Sequence, residues 1–306
     1  MWFKNLHIYR LHDSAPLDDS QLAAALPEHR FRPVSGVEAR RIGWVPPNAG
    51  GDALVHEVMG QHLVTAKVQE RLLPAGVVAE ELAERVSQRE ATEGRSLRRR
   101  ERLTMKEQIF EELLPRAFTQ SRRTDLWWCR KAGMIAVNAS SASKAEQVLD
   151  LLRQSLGSLK VTPIAVQRPP SQVMGEWLRR PETRPDGMII GDAVTLAAPG
   201  GEDGVLRARL FDLDGEEIQT ALSLGRIPTS LAIQIDGRVA FTLGDDLSIK
   251  GLRFADAVIE EANATEHEDA AARIETDFLL MAGVLEDAVA SLIEWMGGEA
   301  QPTAQE

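Results

Sequence analysis

Ile274, Phe278, Met281, Leu285, Val289, Leu292 and Met296 recur at steps of three and four residues, the spacing that lines one face of a helix. This predicts a helix from about Asp269 to Met296, with Thr265–Glu268 able to cap its start and Gly297-Gly298 ending it. At 1.5 Å per residue it would be ~42 Å long. A second helical stretch runs from Gly76 to Leu114. Its apolar positions Val78, Leu82 and Val86 fade into a polar run around Gly94 and return at Leu103, Ile109, Phe110, Leu113 and Leu114. With Thr104–Glu107 as a capping box for a second helix and Pro115 as its stop, it predicts a projecting helical hairpin more polar than the body.

Elsewhere the apolar period is that of strands. Residues 2–11, 53–58, 62–68, 126–130, 134–138 and 161–167 are predicted strands, with Gly60 and Lys131–Gly133 as turns. Asp18–Leu26 reads as a short helix stopped by Pro27, and Ser143–Glu146 opens a helix carrying Val148, Leu149, Leu152 and Leu156 that ends at Gly157. Gly43-Trp44-Val45-Pro46-Pro47 reads as turn chemistry, and Arg168-Pro169-Pro170 and Arg179–Gly187 read as loops or boundaries. Val205–Phe211 alternates, placing Arg207 and Arg209 on one strand face; Gly215–Leu224 is a short helix. Leu231–Ile235 and Val239–Leu243 flank Asp236-Gly237, a strong hairpin signal, and Leu247–Phe254 supplies a further strand. Strand followed by short helix at both 2–26 and 205–224 suggests a weak internal duplication. The fold class expected is α+β, with mixed sheets and a projecting helical hairpin. The domains expected are a central body of 1–75 and 124–167, a helical tip of 76–123 and a base of 168–306.

Composition narrows the function classes. The 306 residues are 43% hydrophobic and 26% charged, a globular balance. No apolar run is long enough for a membrane span, and the first residues lack the basic and apolar regions of a signal peptide. The single Cys129 excludes an internal disulfide and a Cys-rich zinc site. A cytoplasmic protein is expected.

The net charge of −11 is unevenly spread. Residues 254–306 hold thirteen acids and one base, so the first 253 carry +1, and residues 85–123 carry +5. A basic working surface can therefore coexist with an acidic exterior, because the field that matters acts within about one Debye length, ~8–10 Å. The plainer alternative is that both segments are solvated helix faces.

No phosphate-binding glycine loop, dinucleotide fingerprint or nucleophile elbow is present. His56 and His62, near Asp52 and Glu57, have no known metal spacing and read better as packing or surface residues. Asp212, Asp214, Glu216 and Glu217 crowd a strand–helix junction and raise a metal-dependent nuclease as a rival reading, although acids favour helix N-termini on their own. Cys129, beside Trp127 and Trp128, reads as an inert buried thiol, and most of the six tryptophans read as core rather than base-stacking platforms. Phe118, just past Pro115, either folds back on its own helix or anchors in a partner's apolar pocket.

Several long strings resemble one family end to end. They are Trp2–Leu6, Tyr9-Arg10-Leu11, Gly43–Pro47, Leu113–Phe118, Leu151–Leu159 and Gly297–Gln301. In the same order they resemble the RdgC family of bacterial recombination-associated proteins. The resemblance implies a non-enzymatic, nucleoid-associated protein that forms a ring-shaped homodimer around double-stranded DNA, binds without sequence preference and restrains RecA-promoted strand exchange. It implies no cofactor, no metal and no catalytic residue. Segment 76–114 matches the family's tip, and Phe118 matches the aromatic finger of the dimer interface. Arg207, Arg209 and Arg226 fall where the family carries bases facing DNA, with Leu210 where a further base would be expected. Arg71, Arg122, Arg123, Lys250 and Arg253 are further candidates for the same lining, since diffuse phosphate neutralisation needs scattered bases rather than a reading motif. Preference between double- and single-stranded DNA stays open. Besides the nuclease, an acidic scaffold that binds a recombinase directly is the other rival.

Overall fold

The computed structural model describes residues 2–12, 19–48, 51–198, 204–264 and 270–300. Twelve strands form one sheet: β1 (Asn5–Leu11), β2 (Arg40–Val45), β3 (Val55–Val58), β4 (Gln61–Leu72), β5 (Phe118–Cys129), β6 (Met134–Val137), β7 (Val161–Pro163), β8 (Met188–Ala197), β9 (Val205–Arg209), β10 (Ile227–Ile235), β11 (Val239–Gly244) and β12 (Ile249–Phe254). Their order is β2-β4-β5-β6-β1-β12-β11-β10-β8-β9, with β3 on β4 and β7 on β1. Where mixed sheets were expected, every ladder between named strands is antiparallel. β1 lies centrally between β6 and β12 whereas β9 is an edge strand, so the two strand–helix units do not hold equivalent places.

The helices are α1 (Asp19–Ala25), α2 (Ala75–Glu93), α3 (Arg99–Leu113), α4 (Ala142–Leu156), α5 (Pro170–Arg179), α6 (Glu216–Ser223), α7 (Asp256–Ala264) and α8 (Ala270–Trp295). One sheet face packs on α8. Phe3, Leu6, Leu63 and Trp127 from the N-terminal half and Leu231, Ile233, Phe241 and Ile249 from the C-terminal half share a single core with Phe278, Met281, Leu285 and Val289. α5 and α6 close the same core with Trp177, Leu178, Ile218 and Leu222. Each such side chain contributes about 1.5–3 kcal/mol of burial. Because that core crosses residue 167, body and base are joined through it. The predicted stripe is borne out: Phe278, Met281, Leu285, Val289, Leu292 and Met296 are all buried, and Ile274 is half-buried.

The opposite face is covered only in the N-terminal half. Tyr9, Trp44, Val64, Leu126, Trp128 and Val137 pack there on Val148, Leu149 and Leu152 of α4 and on Leu22 of α1. In the C-terminal half the apolar residues of the described helices lie on the α8 side, so among the described residues no helix covers this second face, the bare face.

Several local readings change. The strand expected at 126–130 begins at Phe118, so residues 118–123, expected in the helical tip, are strand, and the one expected at 62–68 runs on to Leu72. Gly43 and Trp44 belong to β2 rather than to a turn. Trp44 is fully buried, donating its Nε1–H to Ser155 Oγ at 2.9 Å. A Cβ on Gly43 would fall 2.6 Å from Phe31 Cα, so this is a close backbone approach rather than a bend. α3 begins at Arg99, five residues before the expected cap, because Glu101 accepts from the Arg98 backbone N–H at 2.8 Å. α5, β8 and α7 were not anticipated. The strand expected over 161–167 shortens to Val161–Pro163.

The hairpin of α2 and α3 stands on the ladder of β4 and β5, which runs in unbroken register from Gln61–Cys129 to Leu72–Phe118. It has its own small core of Val78, Leu97, Met105 and Ile109. The polar run between its helices is a turn held by charge: Arg95 pairs with Glu93 and Glu101, each at 2.7 Å, and Arg102 with Glu90 at 2.8 Å. Gly94, at φ +66°, makes the left-handed exit from α2.

Candidate nucleic-acid interface

The ladders decide which bases share a face. Arg207 stands opposite Thr195 and Arg209 opposite Ala193; Thr195 pairs with Ser230, Ala232 with Thr242, Thr242 with Lys250, and Ala240 with Arg253. Paired residues project to the same side of a sheet. Arg207, Arg209, Lys250 and Arg253 therefore lie on the bare face, at its two margins, with small residues (Ala193, Thr195, Ser230, Ala232, Ala240, Thr242) between them. The four bases are exposed, and their side chains make no hydrogen bond or ion pair with a described residue. Ile189, Val205 and Ile227 share this face and are exposed as well, so it combines small, apolar and basic residues. Asp246 is an acid within electrostatic range of Lys250, and its carboxylate accepts from the Ser248 backbone N–H at 3.0 Å.

The other candidates divide. Arg226, just before β10, donates from Nη1 to Gly204 O at 3.1 Å at the β9 edge. Arg122 projects to the α4 side, which is the same side as the bare face. It pairs with Glu70 at 3.1 Å and borders a cavity of about 160 Å³ with Arg40 and Lys144. Arg123, one residue on, projects to the other side and donates to Pro46 O at 2.6 Å and Pro47 O at 3.2 Å. Arg71 is occupied with the carbonyls of Gly36, Glu38 and Pro115. Leu210 is 89% exposed at φ +53°, at the end of the edge strand.

The helical tip adds bases that no sequence motif marked. Arg89, Arg95, Arg98 and Arg100 surround a concavity of about 630 Å³. Arg95 is ion-paired, while Arg98 and Arg100 carry no ion pair with a described residue. Their net charge of +5 with neighbouring residues was the available signal. Phe118 begins β5 at the foot of this hairpin and is 87% exposed, so it does not fold back on its own helix.

The rival sites do not converge. Arg184 pairs with Asp214, holding that carboxyl below its ordinary range, and Asp212 Oδ1 accepts from the Asp214 backbone N–H at 3.0 Å. His56 pairs with Leu63 while His62 projects to the other face, its ring 6.0 Å from Trp128. Among the described residues no three His, Cys, Asp or Glu side chains are grouped to hold a metal. Cys129 is fully buried and burial pushes its thiol up. Trp44, Trp127, Trp128 and Trp177 are core, Trp2 lies on Phe254, and Trp295 packs edge-on to Trp177. No described helix is long and apolar enough to cross a membrane.

Comparison with known proteins gives the lineage. A family model described as "RdgC: Putative exonuclease, RdgC" matches residues 1–299. The chain belongs to the RdgC family. The recombination-associated protein RdgC of Tolumonas auensis is 40% identical over 300 residues, covering 98% of this chain and 99% of that one. Those of Salmonella paratyphi B and Salmonella typhimurium are each 37% identical over 302 residues, with the same coverage. RdgC relatives of the same length thus match this chain over nearly all of its sequence, and they share the name recombination-associated protein.

Proposed function

We propose that this protein is a sequence-nonspecific DNA-binding protein that holds duplex DNA against the bare sheet face, closes around it as a ring-shaped homodimer, and restrains RecA-promoted strand exchange from the nucleoid. The observation that carries this reading is the half-sheet that no described helix covers, with Arg207, Arg209, Lys250 and Arg253 at its margins, none in an ion pair with a described residue. Such a face offers phosphates several unpaired bases and no base-reading helix, which suits affinity without sequence information. Asp246 near Lys250 apart, many of the acids lie on α7 and α8, which pack on the opposite side of the sheet. The same partition accommodates a net charge of −11 in a polyanion binder. Ring closure is supported by Phe118, a large aromatic exposed at the hairpin's foot where it can enter a second copy.

The test is binding of the full chain to a nicked circle and to the same DNA made linear. A ring retains the circle through a high-salt challenge and releases the linear form over its ends. Equal release from both contradicts encirclement, and absence of binding at low salt contradicts the whole reading. The nuclease reading has the family description in its favour, but Asp212 and Asp214 are engaged in a turn and an ion pair. Incubating supercoiled plasmid with magnesium or manganese decides between the two, since a clamp leaves it uncut.

A further inference from the structure

On the α8 side of the sheet, a groove of about 340 Å³ lies between the C-terminal half of α8 and the turn from β5 to β6. Met134, Val289 and Ile293 give it apolar lining, and Glu286, Glu294 and Glu299 stand around it. The one base present, Arg10, is already satisfied: Nε donates to Glu299 Oε2 at 3.0 Å and Nη1 to Gly133 O at 3.0 Å. Glu286 and Glu294 have no ion pair with a described residue. Glu286 is nonetheless fixed in place. The buried Trp127 donates Nε1–H to Gln61 Oε1 at 2.6 Å, and Gln61 Nε2 in turn donates to Glu286 Oε2 at 3.3 Å.

The α8 spacing orders these groups. Glu286, Ala290 and Glu294 form one row at steps of four, and Val289 and Ile293 form the row beside it. Eight residues of helix set the two carboxylates ~12 Å apart. Two open carboxylates beside an aliphatic strip repel a polyanion and complement a cation that carries aliphatic neighbours.

We propose that this groove docks a basic, aliphatic peptide segment of a partner protein, with two Lys or Arg side chains on Glu286 and Glu294 and the residues between them on the accessible Ala290 and Ile293. An extended peptide advances ~3.3 Å per residue with its side chains alternating between faces, so bases four positions apart share a face and span the two carboxylates. Arg10 alternates in phase with Leu6, on the α8 side, whereas Asn5 shares the side of Lys250. A peptide here and DNA on the bare face occupy opposite sides of the sheet, so both can be held at once. The proposal does not depend on the clamp reading.

The test is fluorescence anisotropy of the full-length protein with a labelled peptide whose core is Lys-Leu-Leu-Leu-Lys. The wild type binds it. The double substitution Glu286→Gln/Glu294→Gln weakens binding by about tenfold or more, as expected when a close charge pair is lost. A Lys-Ser-Ser-Ser-Lys peptide binds more weakly because the aliphatic contacts are gone, and Glu-Leu-Leu-Leu-Glu does not bind. Thermal unfolding of the double variant stays at the wild-type value, which separates docking from folding. No binding of the Lys-Leu-Leu-Leu-Lys peptide, equal binding by wild type and double variant, or equal binding of the Ser-containing peptide would each overturn the proposal.

Discussion

Asn5 of β1 stands opposite Lys250 of β12, and this pair with its neighbour Leu6–Ile249 is the whole ladder that fuses the two halves of the sheet. The junction is reinforced by side chains: Asn138 Oδ1 accepts from the backbone N–H groups of Lys4 and Asn5, both at 3.1 Å. On one side of the seam α4 covers the sheet; on the other the sheet is open and basic. His7, just inside the covered part, is buried, and burial holds its imidazole below the ordinary value.

Replacing Arg207 and Arg209 together with Ala should lower affinity equally on unrelated duplexes. Each phosphate contact contributes about −0.9 to the slope of log affinity against log salt, so the double variant should flatten that slope by about 2 if both residues meet phosphates. Anisotropy titrations at several salt concentrations measure it; a loss confined to one sequence would contradict nonspecific binding.

Phe118→Ala should shift a homodimer toward monomer in sedimentation while leaving the monomer's unfolding within about 0.5 kcal/mol of wild type, because the ring is almost wholly exposed. A large loss of monomer stability would instead place Phe118 in the chain's own packing.

Gly43→Ala should destabilise the fold by about 1–3 kcal/mol, since the added methyl meets the backbone of Phe31 rather than a side chain that can swing away. Denaturant unfolding reads this directly, and no change in midpoint would mean that the strand and the Phe31 segment part freely.

Glu101 should titrate far below its ordinary value of 4.5, at about 2, because Arg95 pairs with it and the Arg98 backbone N–H donates to it. Its folded value is the lower one. Its contribution to the hairpin is therefore complete above about 4.5 and is lost as pH falls through about 2. Carbon-detected NMR of the Glu101 carboxyl follows this, and Arg95→Ala should move the titration back up.

What could be read in the sequence depended on how local the signal was. The α8 stripe and the Asp236-Gly237 hairpin are patterns within one element, and both are present as predicted. α5 was missed because Pro169-Pro170 reads as a break, yet Pro170 occupies the first helical turn, where its missing N–H costs nothing. β8 was missed because its bulge against β10 disturbs the alternation, with Gly191 at the point where a Cβ would lie 2.9 Å from that of Ala232. The basic face was half legible. Arg207 and Arg209 alternate within one strand, but their alignment with Lys250 and Arg253 depends on the register of five strands. Arg122 and Arg123 look like one basic pair in sequence and point to opposite faces in the fold.

The most direct measurement uses the single native cysteine, which is fully buried and leaves surface thiols addressable. A photoreactive label on Thr242→Cys, in the middle of the bare face, should cross-link to bound duplex, whereas the same label on Glu260→Cys, on α7, should not. Cross-linking from Glu260→Cys with none from Thr242→Cys would place DNA on the wrong side of the sheet and contradict the proposed interface.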